Sequence, residues 1–598
     1  MSSDTSTPLL KNAYRKGLGK AQHPFACALA LGAIVILALG HLLYYAPRAI
    51  DDMFIFLRYA EHLAQGKGLT YNSAERVEGF SSPLWLALLT VGILVGVNPV
   101  TWAKGLSVAA FGFLLAGVYR FGREEFRLPW GYAGFACGVC ALNSYLVAWT
   151  SWGLETPLYL ALMLWFAILL ARLFRPDQSP GLNDCWKLSA VGMAFMLSRP
   201  EAPLFAALIS LAASWEAFKL RQFRSLLRRG LPAAAIVTGG VLAYLVFRRL
   251  YFGLWLPHTH YAKPSNAIDV GNLLPLISHG ASSLEIVLII GGLGIALWLA
   301  CKEHKATPLA ILLATLIFVV LVPLDWMPSL RHFLPIWIVV PLMWCWLASA
   351  WAQSSRFSLR IMRHVPLVVL AAGGLYLSHI DARYSDYDFA SHGRGQHWIR
   401  PKSLAAWEDT LASLNRVVPA HIQAMDNFNH GMISQVYRLF EADARPLEKT
   451  WYIGRDIGRL GWLAPVQVFD TDGLFTPDVV QSSAWRHGGG TDEALLRRAF
   501  SRPVVMTEIS GPWEIAAARS SWLQQRYSSV HAPQHWIYVF PRYQVRPTSD
   551  QILARYRNAL EKLPSNYYLM TLYGEAVGAA VERRYHFLAR TMNNPHLE

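Results

Sequence analysis

The chain has 598 residues, 54% of them hydrophobic, with 23 tryptophans and a mean hydropathy of +0.28. That content excludes an ordinary soluble multidomain protein, and apolar runs of about 17–22 residues recur over the first two thirds, the length that crosses roughly 30 Å of hydrocarbon. The net charge of +15 does not imply nucleic-acid binding. The basic residues sit in short loops between apolar runs, where they set membrane topology, and no nucleic-acid module is visible in the sequence.

In chain order, a basic tail (1–24, with Lys11, Arg15, Lys16 and Lys20) precedes a first apolar run at about 25–45. The run is too long for the apolar region of a signal peptide and lacks a small-x-small cleavage site, so it reads as a retained span. With the tail cytoplasmic, Asp51 and Asp52 emerge on the outer face. The stretch Pro83–Val97 is short and interrupted by Gly92 and Gly96. Laying it along the outer interface lets the next span (about 101–119) deliver Arg120, Arg123 and Arg127 to the inside. Further spans follow at about 130–150, 155–172, 187–198, 201–217, 231–250, 283–300, 306–323, 332–352 and 364–380. The expected fold is thus an α-helical polytopic membrane protein with about eleven transmembrane helices and outward juxtamembrane helices.

The domain 25–380 is followed by 381–598, which reads as a soluble α/β domain on the outer face. Its strand-like runs are 422–425, 466–469, 503–506 and 536–540, and its helix-like stretches include 404–417 and 550–563. None of the six cysteines (Cys27, Cys137, Cys140, Cys185, Cys301, Cys345) lies there, so it holds no disulfide. Cys137-x-x-Cys140 lies in an apolar run without a partner pair and reads as packing rather than zinc. Asp470-Thr471-Asp472-Gly473 and His487-Gly488-Gly489-Gly490 read as turns.

This threading collects the polar groups beside apolar runs on the outer face: Asp51, Asp52, Arg58, Glu75, Arg76, Glu78, Glu155, Arg199, Glu201, His258, His260, Lys263, Asp325 and Arg331. A transporter more often keeps its charges at mid-membrane, within broken helices related by an internal repeat. Each group has a plain alternative. Arg58-Tyr59 suits an interfacial anchor, Glu155 a helix cap, and Arg199-Pro200-Glu201 either a salt-bridged turn or a phosphate contact. His258-x-His260 lacks a third ligand for a metal. Lys263 and Arg331 sit where a lipid phosphate would lie. Adjacent acids are the costliest groups to place beside a span, which marks Asp51 and Asp52 as functional.

One ordered series of motifs runs through residues 45–340. It begins Asp51-Asp52-x5-Arg58-Tyr59-Ala60, then Gly66-Lys67-Gly68-Leu69-x-Tyr71-Asn72 and Glu75-Arg76-Val77-Glu78-Gly79-Phe80-Ser81-Ser82-Pro83. Gly153-Leu154-Glu155-Thr156-Pro157, Arg199-Pro200-Glu201, Pro257-His258-Thr259-His260-Tyr261-Ala262-Lys263 and Asp325-Trp326-Met327-Pro328 with Arg331 complete it. A looser echo continues at Ile457-Gly458 and Val468–Leu474. In this series the chain resembles the GT-C-type polyprenyl-phosphate-dependent glycosyltransferases, in particular the branch of terminal arabinofuranosyltransferases of the mycobacterial AftB kind. It departs at His258, where relatives often carry Asn, and at Leu324, where they often carry Gly.

The resemblance implies a GT-C-like transmembrane catalytic domain in the bacterial cytoplasmic (inner) membrane, with the active site facing outward. It further implies a polyprenyl-phosphate-linked sugar donor, most specifically of arabinofuranose, and a glycan, lipid or protein acceptor. Asp51 then accepts the acceptor's proton and Asp52 orients the acceptor or a sugar hydroxyl. Arg58, Arg199, Lys263 and Arg331 form the donor-phosphate clamp. Glu75, Glu78, Glu155, His258, His260, Tyr261, Asp325 and Trp326 are the substrate-contact set. No cofactor is assigned; a divalent metal stays open, since the outward carboxylates could hold one although no spacing demands it. The competing readings are a transporter or flippase of lipid-linked sugars and a GT-C enzyme using a hexose donor.

Overall fold

The computed structural model describes residues 35–43, 50–73, 75–174, 182–262, 283–322, 331–353, 365–379, 451–454, 457–463, 466–482, 491–502, 504–510, 519–532 and 536–541, with Gly32, Trp513 and Ala516 besides. Each apolar run expected to span contains a described helix or part of one. Among the described residues, Pro99–Glu124, Phe223–Phe252 and Arg331–Ala352 are long and apolar enough to cross a membrane alone. Pro83–Leu94, Thr156–Arg172, Ile286–Lys302 and Thr307–Leu321 are apolar but shorter. Phe223–Phe252 is strongly apolar, yet only 11% of its most apolar window is buried. An exposed surface of that kind is accounted for by a hydrocarbon solvent, which covers it as water does not.

Local chemistry sets many helix ends. Pro157, Pro203 and Pro308 occupy the first turns of Thr156–Arg172, Ala202–Lys219 and Thr307–Leu321, where a missing N–H costs nothing. Pro83 does the same after Ser82, whose hydroxyl accepts from the Trp85 N–H at 3.2 Å. The helix Pro83–Leu94 has a length of about 18 Å, too short to cross alone. Gly92 is needed within it: a Cβ there would lie 2.1 Å from the Trp102 ring, whose Nε1 donates to the Leu88 carbonyl at 2.8 Å.

The run at 130–150, expected to be continuous, is broken. Trp130–Leu142 and Ser144–Ser151 meet at Asn143 with a bend of 59°. Asn143 Oδ1 accepts from the Leu146 N–H at 3.2 Å, so the residue caps a new helix instead of continuing the old one.

The described residues form two compact units, neither continuous in the chain. The first comprises described residues within Met1–Ala46, Lys104–Tyr244 and Asn266–Ser385. There Thr156–Arg172 packs on Leu182–Met196 and Ala202–Lys219, and Leu334–Gln353 packs on Trp130–Leu142, Ser283–Lys302, Thr307–Leu321 and Val365–His379. Glu124 takes Arg172 in a bidentate pair at 2.8 and 2.5 Å. Glu216 Oε1 accepts from the N–H groups of Ala306 and Thr307 and from the Thr307 hydroxyl, capping Thr307–Leu321. Lys305 donates to the Glu125 carbonyl. The thiols of Cys137 and Cys140 donate to different carbonyls, those of Leu115 and Trp337.

The second unit comprises described residues within Pro47–Ala103, Leu245–Ser265 and Asp386–Glu598. Its helices include Asp51–Ala64 and Pro83–Leu94. Its five-stranded sheet is built from β1 (Trp451–Gly454), β2 (Gln467–Asp470), β3 (Val504–Ser510), β4 (Tyr527–Ala532) and β5 (Trp536–Pro541), in the order β2-β1-β3-β5-β4. β1 runs parallel to β2 and β3, while β5 runs antiparallel to β3 and β4. Ile453, Phe469, Val479, Leu495, Leu496 and Phe500 are among the residues that bury its core. Three strands fall where the sequence places them; β1 and β4 were not foreseen. The run 422–425 and the helix-like stretches 404–417 and 550–563 lie outside the described residues. Asp470–Gly473 is a turn as expected: Asp470 accepts from the Asp472 and Leu474 N–H groups, and Gly473 sits at φ +75°.

Asn143→Ala removes the cap at the bend. The expected cost is about 1 kcal/mol, seen as a lower unfolding temperature in detergent, with Asn143→Asp retaining most of the stability.

Candidate active site

Asp51 and Asp52 occupy the first turn of the helix Asp51–Ala64, after an Ile50 N-cap that offers no side-chain bond. Carboxylates suit that end of the helix dipole, and both are half-buried. Asp51 Oδ2 accepts the backbone N–H of Gly458 at 2.7 Å.

Two turns on, Arg58 is buried, with 4% of its surface exposed. Its Nε donates to the Tyr71 carbonyl at 2.8 Å, Nη2 to Val466 at 2.7 Å, and Nη1 to Gly461. The guanidinium also lies 4.4 Å from the centre of the Tyr71 ring. This corrects the expected phosphate role: the guanidinium ties the Tyr71 backbone to the stretch that carries Gly461 and Val466. Tyr71 continues the same junction, donating to the Ile457 carbonyl at 3.0 Å and stacking on Phe475 at 3.9 Å.

Asn72 acts as a short strand. Its amide donates to the Val468 carbonyl at 2.7 Å and accepts from the Val468 N–H at 2.8 Å, satisfying the outer side of edge strand β2. Ser73 and Gln467 exchange two further bonds beside it. Asn72 also donates to Glu75 Oε2 at 2.9 Å. Burial pushes the Glu75 carboxyl above the usual range; Asn72 and Arg502 oppose that rise and Asp478 adds to it.

Glu78 is buried in a bidentate pair with Arg248, at 2.6 and 3.1 Å. Its carbonyl accepts from the His258 N–H at 3.0 Å, at the start of the short helix His258–Ala262. Among the described residues, neither ring nitrogen of His258 has a well-formed hydrogen bond. Burial holds the ring below the ordinary histidine range, offset in part by the carbonyls of Thr476 and Gly473. His260 and Tyr261 are more accessible and meet edge to face at 5.6 Å.

The first unit holds its own charged cluster. Arg199 Nη1 pairs with Glu155 Oε1 at 2.5 Å and its Nε pairs with Glu201. The guanidinium lies 5.8 Å from the Tyr159 ring centre. Of the two readings open for Arg199-Pro200-Glu201, this is the salt-bridged turn, with Glu155 as a third member. Glu155 precedes its helix, yet its side chain makes no capping bond, and its buried Oε2 has no hydrogen-bond partner among the described residues. Arg331 lies 4.9 Å from the centre of the Trp149 ring. Removing one partner from such a buried set costs about 3–5 kcal/mol.

Lys263, Asp325 and Trp326 lie outside the described residues. Among the described residues no group of three metal-ligating side chains occurs. Sequence reasoning missed Arg248, Tyr159 and Gly458 as partners of the motif residues. Arg248 carried a faint signal, a charge near the end of a long apolar helix, but its partner Glu78 is 170 positions away.

No family model matches the chain. In sequence it is 32% identical over 232 residues to a terminal beta-(1->2)-arabinofuranosyltransferase of Mycobacterium tuberculosis, covering 36% of this chain and 34% of that one. The protein of the same name from Corynebacterium glutamicum is 27% identical over 236 residues, covering 36% and 33%. The chain thus spans about a third of the length of the curated relatives it matches. In structure it is similar to ArnT from Cupriavidus metallidurans, solved bound to undecaprenyl phosphate. The TM-score is 0.50 at 14% identity, over 85% of this chain and 97% of ArnT. The fold is that of the GT-C glycosyltransferases. Within that class, the named sequence relatives are terminal arabinofuranosyltransferases.

Two outcomes follow from the geometry. Arg58→Lys cannot reach three carbonyls from one planar fork and is expected to lower stability by on the order of 3 kcal/mol, measured by thermal unfolding in detergent. The depressed His258 makes the folded state bind fewer protons than the unfolded chain. Its contribution is fully present above the ordinary histidine value of 6.5 and is lost as pH falls below it. His258→Asn should flatten that part of the stability–pH curve.

Proposed function

We propose that the protein is a membrane glycosyltransferase that moves arabinofuranose from a polyprenyl-phosphate donor to an extracytoplasmic glycan, lipid or protein acceptor, with inversion. The observation that carries this reading is the sequence match to two terminal arabinofuranosyltransferases; the GT-C fold supports the class. That ArnT was solved with undecaprenyl phosphate supports a polyprenyl-phosphate-linked donor here.

In this reading the acceptor hydroxyl attacks the anomeric carbon as the Asp51 carboxylate takes its proton. The new C–O bond forms as the bond from that carbon to the phosphate oxygen breaks, and the electron pair leaves with polyprenyl phosphate. Fixed cations stabilise the added charge, a role for Lys263 and Arg331. Asp52 orients the acceptor. Arg199 is held by two carboxylates and serves chiefly to set Glu155, which with Glu75, Glu78, His258, His260, Tyr261, Asp325 and Trp326 makes up the substrate-contact set. In this reading the protein sits in the bacterial inner membrane, with its N-terminus in the cytoplasm and residues 381–598 outside.

Purified protein given synthetic polyprenyl-phosphoryl arabinofuranose and candidate acceptors should release free polyprenyl phosphate and inverted product in equal amounts. The matching hexose donor should react far more slowly. Asp51→Asn should lower turnover by about 100-fold or more. Movement of the intact lipid across vesicles without release of polyprenyl phosphate would sink the enzyme reading.

A further inference from the structure

The contact between Asp51 and Gly458 joins residues 407 positions apart, and several features hold it in place. The Gly458 N–H meets Asp51 Oδ2 at 2.7 Å, the length of a charge-assisted bond. The backbones approach so closely that a Cβ on Gly458 would lie 2.2 Å from the Asp51 carbonyl oxygen and 2.8 Å from Oδ2. Only glycine fits. The segment that carries it is tied to the Asp51 helix and to the loop after that helix: Tyr71 of the loop donates to Ile457, Arg58 of the helix to Gly461 and to Val466, and Trp462 Nε1 to Glu61 Oε1 at 3.0 Å. Phe54 packs on Trp462 with ring centres 5.4 Å apart. A second close approach occurs at Gly461, where a Cβ would lie 2.1 Å from the Tyr71 hydroxyl.

We propose that the backbone N–H of Gly458 is a positioning group for the catalytic base, so that docking of the segment Ile457–Leu463 sets the rotation and the ionisation of Asp51. The inference rests on the reading of Asp51 as the base. A donor on one carboxylate oxygen fixes the torsion of the side chain and favours its charged form. Segment Ile457–Leu463 thereby makes competence for proton transfer conditional on the docked state of a distant part of the chain.

Gly458→Ala tests this in the arabinofuranosyl-transfer assay. Turnover should fall by about 100-fold, as for a catalytic group displaced by an ångström, with KM for the donor little changed. The acid limb of the pH–rate profile should move to higher pH. Gly461→Ala strains the same docking against Tyr71 and Arg58 without touching Asp51, so it should lower the unfolding temperature and move the acid limb in the same direction, but by less than Gly458→Ala does. Added to Asp51→Asn, Gly458→Ala should cause no further loss, since the two act as one unit. An unmoved acid limb in Gly458→Ala overturns the proposal, whether turnover is intact or falls only as far as in Gly461→Ala.

If Gly458→Ala does not fold, the full-length wild-type chain gives a second readout. Labelling with carbonyl-13C isoleucine and 15N glycine selects the amides of Gly291, Gly454 and Gly458, the glycines that follow isoleucine. One of them should titrate in step with the acid limb and stop doing so in Asp51→Asn; no titrating amide overturns the proposal. Full turnover in Asp51→Asn would instead remove the base assignment, a failure separate from that of the Gly458 contact.

Discussion

A buried guanidinium is costly to place unless each of its nitrogens finds an acceptor. Arg58 meets that requirement with carbonyls from Tyr71, Gly461 and Val466. Those carbonyls come from the loop after the Asp51 helix and from a segment some four hundred positions later. The Arg58 geometry therefore requires these segments to be assembled together. The Asn72 amide extends the same junction by completing the edge of β2, and the Tyr71 ring roofs the guanidinium on one side. Asp51 lies two turns before Arg58 on the same helix, so the tie that satisfies the arginine also delivers Gly458 to the carboxylate.

The first unit solves a related problem at both ends of the helix Thr156–Arg172. Glu155 at its start meets Arg199, and Arg172 at its finish meets Glu124. Seventeen helical residues separate these sites by about 25 Å, close to the thickness of a hydrocarbon core. Buried ion pairs contribute little net stability over apolar isosteres, yet losing one partner is expensive. Such pairs mark which helix ends must lie side by side. Arg120 and Arg172 share Glu124 at one end, with Lys305 on the carbonyl of the neighbouring Glu125, and Arg199 joins Glu155 and Glu201 at the other.

Much of the helical layout was legible because apolar runs and basic loops are local signals. The helix Pro83–Leu94 was legible as too short to cross, from its length and its glycines. The bend at Asn143 was not, since the apolar composition continues through it and only a side-chain cap interrupts the helix. Strand β1 was missed because four residues carry too little pattern to distinguish a strand from a loop. In the candidate site, the acids and bases themselves stood out as charges beside apolar runs. Their partners did not: Arg248 for Glu78, Gly458 for Asp51 and the carbonyls around Arg58 are fixed by long-range packing, which leaves no periodicity in the chain.

The amino-acid sequence by itself determined the solvent of this protein, the approximate places of its helices and the chemical groups available beside them, since hydropathy and charge are properties of the residues themselves. Only the tertiary structure decided how those groups are used. It turned Arg58 from a phosphate ligand into a structural tie, paired Arg199 with two carboxylates, and brought a glycine amide to Asp51. The physical reason is that a hydrogen-bonding group takes its role from whatever satisfies it after burial, and that partner is chosen by the fold.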